Sequence, residues 1–187
     1  LLGRRVLGAA NLFGIRKSLH SEAVAVEAIA EVGRLGVDHC ILTGELANLA
    51  LPAEYELAAR VVGPLGTWER LTVVPGNHDC YTPESIWKGR FEAFFGHSLW
   101  KDGDPAAGRY PAVKDLPGLR IVVGRTPSAN VLPWSRGRFG RAQIEAVRAA
   151  IEQGRASGRF VILAFHHNLH RRGLAAEVVS RLRDRDA

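Results

Sequence analysis

Short apolar runs alternate with helix-periodic stretches along this chain, and each run ends at a turn rich in glycine and polar side chains. The runs are His39–Thr43, Leu71–Val74, Leu119–Val123 and Phe160–Phe165. At four to six residues they have strand length, while the stretches between them repeat their apolar positions with a period near 3.6. This alternation calls for βαβ units in an α/β domain, not for a helical bundle or an all-β sandwich. No internal repeat or low-complexity linker breaks it, so a single domain over 1–187 is expected.

Capping residues place the helices. Ser21 with Glu22 in the first turn starts one that aligns Ala25, Ile29 and Val32 on one face and stops near Gly36. Pro52 fits the first position of a second, running through Leu57 and Val61 to Gly63-Pro64. Thr82-Pro83-Glu84 opens a third, whose Trp87, Phe91, Phe94 and Phe95 fall on one helical stripe and are expected in the core. Ala142–Gln153 reads as a helix with Ile144, Val147 and Ile151 inward, and Leu174–Leu182 as a last helix. Gly124 to Gly140 reads as a loop longer than the ~12–15 residues usual in compact domains, a length associated with function.

Composition excludes several classes. A hydrophobic share of 47% and a charged share of 24% over 187 residues belong to a globular core, not to a disordered chain, a collagen or a coiled coil. No apolar run approaches the ~20 residues of a membrane span, and Arg4 and Arg5 interrupt Leu1–Ala10, so a soluble, cytoplasmic protein is expected. Arg4, Arg5, Arg16 and Lys17 beside Leu7, Leu12 and Phe13 leave peripheral membrane contact open, though solvated arginines beside a packed helix are the favoured reading. The net charge of +6 is spread through the chain with no basic block, which argues against a nucleic-acid arm and for attraction of anionic substrates. Cys40 and Cys80 form no Cys-x-x-Cys pair and are expected as free thiols.

Three polar clusters directly follow strand-like runs: Gly44-Glu45-Leu46-Ala47-Asn48, Gly76-Asn77-His78-Asp79 and His166-His167-Asn168. Ligands of α/β sheets bind beyond the carboxyl ends of the strands, so the three turns are expected to meet at one edge. Carboxylate, amide and imidazole together suit a borderline divalent ion such as Mn, Fe or Zn. Each cluster alone also fits a turn or cap in which the side chains bond their own backbone.

Taken in order, Gly44-Glu45, Gly76-Asn77-His78-Asp79 and His166-His167 resemble the calcineurin-like metallophosphoesterases. The likeness runs from about Ser21 to His170. It implies a four-layer α/β/β/α sandwich with two divalent metal ions at one edge and hydrolysis of a phosphodiester or phosphomonoester. By position, Glu45, Asn77 and His166 match metal ligands. His78 matches the general acid that protonates the leaving oxygen while a metal-bound hydroxide attacks phosphorus, and Asp79 matches the acid that orients His78. Arg125, Arg136 and Arg138 of the long loop are candidates for clamping the substrate phosphate, and Trp134 for stacking on a ring. The expected partner is a small phosphate ester.

Two departures from the family stand out. Glutamate occupies position 45 where the family has aspartate, and its extra methylene shifts a bridging carboxylate by about 1 Å where two-metal chemistry wants ions ~3.5–4 Å apart. The family's Asp-x-His and Gly-His-x-His turns occur nowhere in the sequence, so a fragment lacking both ends, or a degenerate metal site, is expected. The alternative function is therefore a non-catalytic relic that binds phosphorylated ligands or a protein partner.

Overall fold

The structure is a computed structural model and describes residues 21–104, 106–128, 135–170, 180–184 and 186. The N-terminal basic segment, Trp134 and most of the expected helix at Leu174–Leu182 lie outside the described residues. Ser21 caps helix α1 (Glu22–Arg34) through its hydroxyl, which accepts the Val24 N–H. No residue of α1 is fully buried, and it rests on the core through half-buried Ile29 and Val32, with Ala25 exposed. Strand β1 (Cys40–Leu42) follows, then α2 (Pro52–Val62), which starts on Pro52 and buries Tyr55, Ala58 and Val62. The Glu54 carboxylate closes its first turn by accepting from the Leu49 and Leu51 N–H groups. Strand β2 (Leu71–Val73) is wholly buried.

The aromatic stripe does not run along one helix. Thr82 and Pro83 open α3 (Pro83–Trp87), but Gly89, left-handed at φ 56°, breaks the chain before α4 (Arg90–Phe95). The break rotates Trp87 out to 84% exposure, while Phe91 and Phe95 stay in the core, which corrects the expectation for Trp87. Then come β3 (Ala112–Leu116), β4 (Leu119–Val123), α5 (Arg141–Ala156) and β5 (Phe160–Ala164). Both cysteines are free thiols. Among the described residues no helix is long and apolar enough to cross a membrane.

The fold is mixed α/β with two small sheets. Strands β1 and β2 pair in parallel, joined through α2. In the second sheet β4 lies between antiparallel β3 and parallel β5, the latter reached through α5. One core joins the sheets: Leu71, Val73 and Val74 share it with Ala112, Ile121, Val123 and Ala164. On the opposite face of β4, Val122 packs on Val147 and Ala150 of α5. Burial on both faces is why β4 reads as an unbroken apolar run.

Strand β3 went unread because its inward position carries a lysine. Lys114 is 1% exposed, and its Nζ lies 2.7–2.8 Å from four oxygens, the Trp68, Leu71 and Ser98 carbonyls and the Thr72 hydroxyl, among which its three N–H groups are shared. The Thr72 hydroxyl in turn meets His39 Nε2 at 2.8 Å. This network ties β3 to β2 and the segments beside it. Lys114→Met leaves three buried carbonyls without a donor but also removes a buried charge. The expected net loss is about 2 kcal/mol in urea unfolding with an unchanged m-value.

Candidate functional site

The three polar turns do meet, at the carboxyl ends of β1, β2 and β5. Two of them pass backbone against backbone: a Cβ placed on Gly76 would stand 2.5 Å from the Glu45 amide nitrogen, and one on Gly44 would stand 2.6 Å from that of Gly76. Only glycine permits this approach. Glu45 itself holds a left-handed backbone at φ 72°, which a non-glycine residue adopts at a cost and which concentrates at functional sites.

Asp79 locks the crossing. It is 1% exposed, and its carboxylate accepts from the backbone N–H groups of Gly76 and Glu45 at 2.8 Å and of Ala47 at 2.7 Å. Burial pushes this carboxyl up to about 6, and the three N–H groups pull the other way, so it is ionised at neutral pH. On His78, the ring Nδ1 lies 2.7 Å from the Asn48 carbonyl. Asp79 is committed to backbone donors and holds the loop that carries His78.

The expected metal ligands come together. A carbonyl only accepts, so the 2.7 Å contact of His166 Nδ1 with the Thr43 carbonyl makes Nδ1 the N–H donor and turns Nε2 toward the cluster. There Nε2 lies 2.9 Å from Asn77 Oδ1 and 3.4 Å from Glu45 Oε1, and the same Glu45 oxygen accepts from the His78 N–H at 3.4 Å. With His166 neutral, its Nε2 lone pair faces the Asn77 and Glu45 side-chain oxygens, an arrangement that a cation would relieve. A proton on Nε2 supplies one. A metal ion is the other: donors ~2.1 Å from an ion stand ~3.0 Å apart at right angles and ~3.4 Å apart at tetrahedral angles. The two distances from Nε2, 2.9 and 3.4 Å, match such donor pairs. Among the described residues no group of three or more His, Cys, Asp or Glu side chains is placed to hold a metal, and this cluster has two of them with the Asn77 amide as third donor.

Charge at the site follows from these contacts. Burial opposes ionising either Glu45 or His166, but the contact between them prevails: Glu45 is held below its ordinary 4.5 and His166 above 6.5. A base whose folded value is raised stabilises the fold fully below 6.5 and loses that contribution as pH rises; an acid whose folded value is lowered stabilises it above 4.5 and loses that as pH falls. In metal-free protein the pair contributes fully between pH 4.5 and 6.5. With the Glu45 side chain 38% exposed, screening limits it to about 1 kcal/mol. Denaturant unfolding of wild type and His166→Gln across pH 4–8 should differ most inside that window and converge toward pH 8.

The neighbouring histidine has another task. His167 is buried, with Nδ1 at 2.8 Å from the Thr126 hydroxyl and Nε2 donating to the Ser135 carbonyl at 2.8 Å. Burial drives it down to about 4, and with both nitrogens engaged it is a neutral strut. A cleft of about 550 Å³ opens beside His166 and Asn77, lined also by Thr43, Phe165, Asn168 and His170. None of the three candidate arginines lines it. Arg125 turns to Glu92, at 3.9 Å, and to the Tyr110 ring; Arg138 lies 3.9 Å from Asp184; and the Arg136 carbonyl accepts from the Ser128 hydroxyl at 3.3 Å. Cys80 is packed, its thiol pushed up to about 12 by burial.

The sequence does not show the roles of Asn48, Thr43 and Tyr81. The first two act through backbone carbonyls, which leave no side-chain signature, and Tyr81, three residues beyond His78, carried the aromatic signal that was available. No family model matches the chain, and no curated protein sequence matches it.

Proposed function

We propose that the chain is a metal-dependent phosphoesterase of the calcineurin-like kind, its sheets and helices forming that family's four-layer α/β/β/α core. The observation that carries this reading is the convergence of His166 Nε2, Asn77 Oδ1 and Glu45 Oε1 at metal-ligand spacing beside an open cleft. These three residues would hold one divalent ion (Mn, Fe or Zn). A divalent ion supplies Lewis-acid polarisation of the phosphoryl oxygen.

The residues divide the remaining work. Thr43 fixes the His166 tautomer so that Nε2 faces the cluster. Asp79 fastens the Glu45 turn to the His78 turn. His78, with Nδ1–H on the Asn48 carbonyl, carries its transferable proton on Nε2 and delivers it to the leaving oxygen. The positive net charge of +6 favours an anionic substrate.

The test is hydrolysis of chromogenic phosphate mono- and diesters by the full chain with Mn²⁺. Turnover by wild type that falls sharply in His78→Ala supports the reading; no turnover, or equal turnover in the variant, removes it. A second reading, binding of phosphorylated ligands without chemistry, is favoured by the left-handed backbone and longer side chain of Glu45. It predicts Mn²⁺-dependent binding of inorganic phosphate with no hydrolysis.

A further inference from the structure

The phenol ring of Tyr81 lies stacked on the His78 imidazole, with centroids 5.5 Å apart and planes 19° from parallel. Tyr81 is 8% exposed and belongs to the main core, so this face of His78 rests on a packed surface. On the ring's edge, Nδ1 meets the Asn48 carbonyl at 2.7 Å. A carbonyl alone fixes one atom and leaves the imidazole able to swing about that bond. A stacked face alone fixes the plane and leaves the ring able to flip. Together they determine both plane and rotation, and so fix which nitrogen bears the transferable proton. The turn allows it, since Asp79 anchors the residue between them to the Glu45 loop.

We infer that Tyr81 is the positioning residue of the site: its ring holds the His78 imidazole so that Nδ1–H stays on Asn48 and Nε2 delivers the proton. The inference rests on the phosphoesterase reading for its kinetic consequence but not for its structural one. A proton donor matters in proportion to how poor the leaving group is. An alkoxide needs the proton in the transition state, whereas a dinitrophenolate departs without it. The effect of Tyr81 should therefore depend on the leaving group, as a general loss of folding would not.

The experiment compares wild type, Tyr81→Phe, Tyr81→Trp and Tyr81→Leu, each as the full chain with Mn²⁺, on an alkyl phosphate ester and on the 2,4-dinitrophenyl ester. General acid catalysis is worth roughly 10²–10⁴-fold. Tyr81→Leu is expected to lose about 10²-fold in kcat on the alkyl ester and less than about threefold on the dinitrophenyl ester, while Phe and Trp, which keep a ring, stay within about threefold of wild type on both. In parallel, nitrogen-resolved NMR of the His78 ring without metal should show a single Nδ1–H tautomer in wild type, Phe and Trp, and a mixture in Leu. Equal losses on the two esters, or a single unchanged tautomer in Tyr81→Leu, would overturn the assignment. Should Tyr81→Leu not fold, loss of the single tautomer or of alkyl-ester turnover in the ring-retaining Phe and Trp variants overturns it equally. Wild type inactive on both esters would remove the phosphoesterase reading, and the tautomer measurement then decides the role of Tyr81 by itself.

Discussion

Gly76→Ala will destabilise the fold by about 3–4 kcal/mol and abolish metal binding at the site. The new Cβ would stand 2.5 Å from the Glu45 nitrogen and 3.1 Å from Asp79 Oδ2. Neither neighbour can yield cheaply: one is backbone, and the other is a buried carboxylate already satisfied by three N–H groups. Relief requires the β1 and β2 turns to separate, which takes Glu45 away from His166 and breaks the Asp79 contacts with it. Urea unfolding measures the stability loss. The control is Gly33→Ala on α1, where an added Cβ meets nothing within 4 Å and helix propensity favours alanine, so stability should hold or rise by up to about 1 kcal/mol.

His78→Ala will leave the fold and metal binding close to wild type and lower kcat on an alkyl phosphate ester by about 10²–10⁴-fold, with KM changed little. His78 is half-buried, and its ring meets the Asn48 carbonyl and the Tyr81 face, neither of which belongs to the cation cluster. A rate loss with KM intact is the mark of an interaction made in the transition state. A rise in KM with kcat unchanged would place His78 in substrate binding instead. Asp79→Ala should differ from it in kind. It strips the acceptor from three backbone N–H groups in a buried crossing, so stability and metal affinity should fall together.

How far these features could be read in the sequence depended on whether side chains or backbone carried them. Ser21, Pro52 and Thr82-Pro83 announce helix starts because capping is a local side-chain affair, and each helix begins where they place it. The meeting of Gly44-Glu45, Gly76–Asp79 and His166 was legible because each follows an apolar run whose carboxyl end shares an edge with the others. Strand β3 was hidden by Lys114, a charged side chain turned inward onto four oxygen acceptors contributed by residues far away in sequence. The break at Gly89 was masked by an aromatic stripe that keeps helical spacing across it, although Trp87 faces solvent. The backbone partners of Asp79 were hidden for a similar reason. An adjacent histidine is visible in the sequence, whereas three backbone N–H groups, two of them from the Glu45 loop, are not.

The central claim is that His166, Asn77 and Glu45 form a cation site in which a metal replaces the proton of His166. Calorimetric titration of the metal-free full chain with Mn²⁺ tests it directly, run above and below pH 6.5 on wild type and His166→Ala. The account predicts saturable binding of Mn²⁺ by wild type, with a proton released on binding and affinity that falls as pH drops and His166 becomes charged. It predicts a loss of at least about 10²-fold in affinity for His166→Ala, since a direct ligand should matter no less than the outer-shell groups whose removal costs 10–100-fold. Absence of saturable binding, or binding indifferent to both pH and His166, would contradict it.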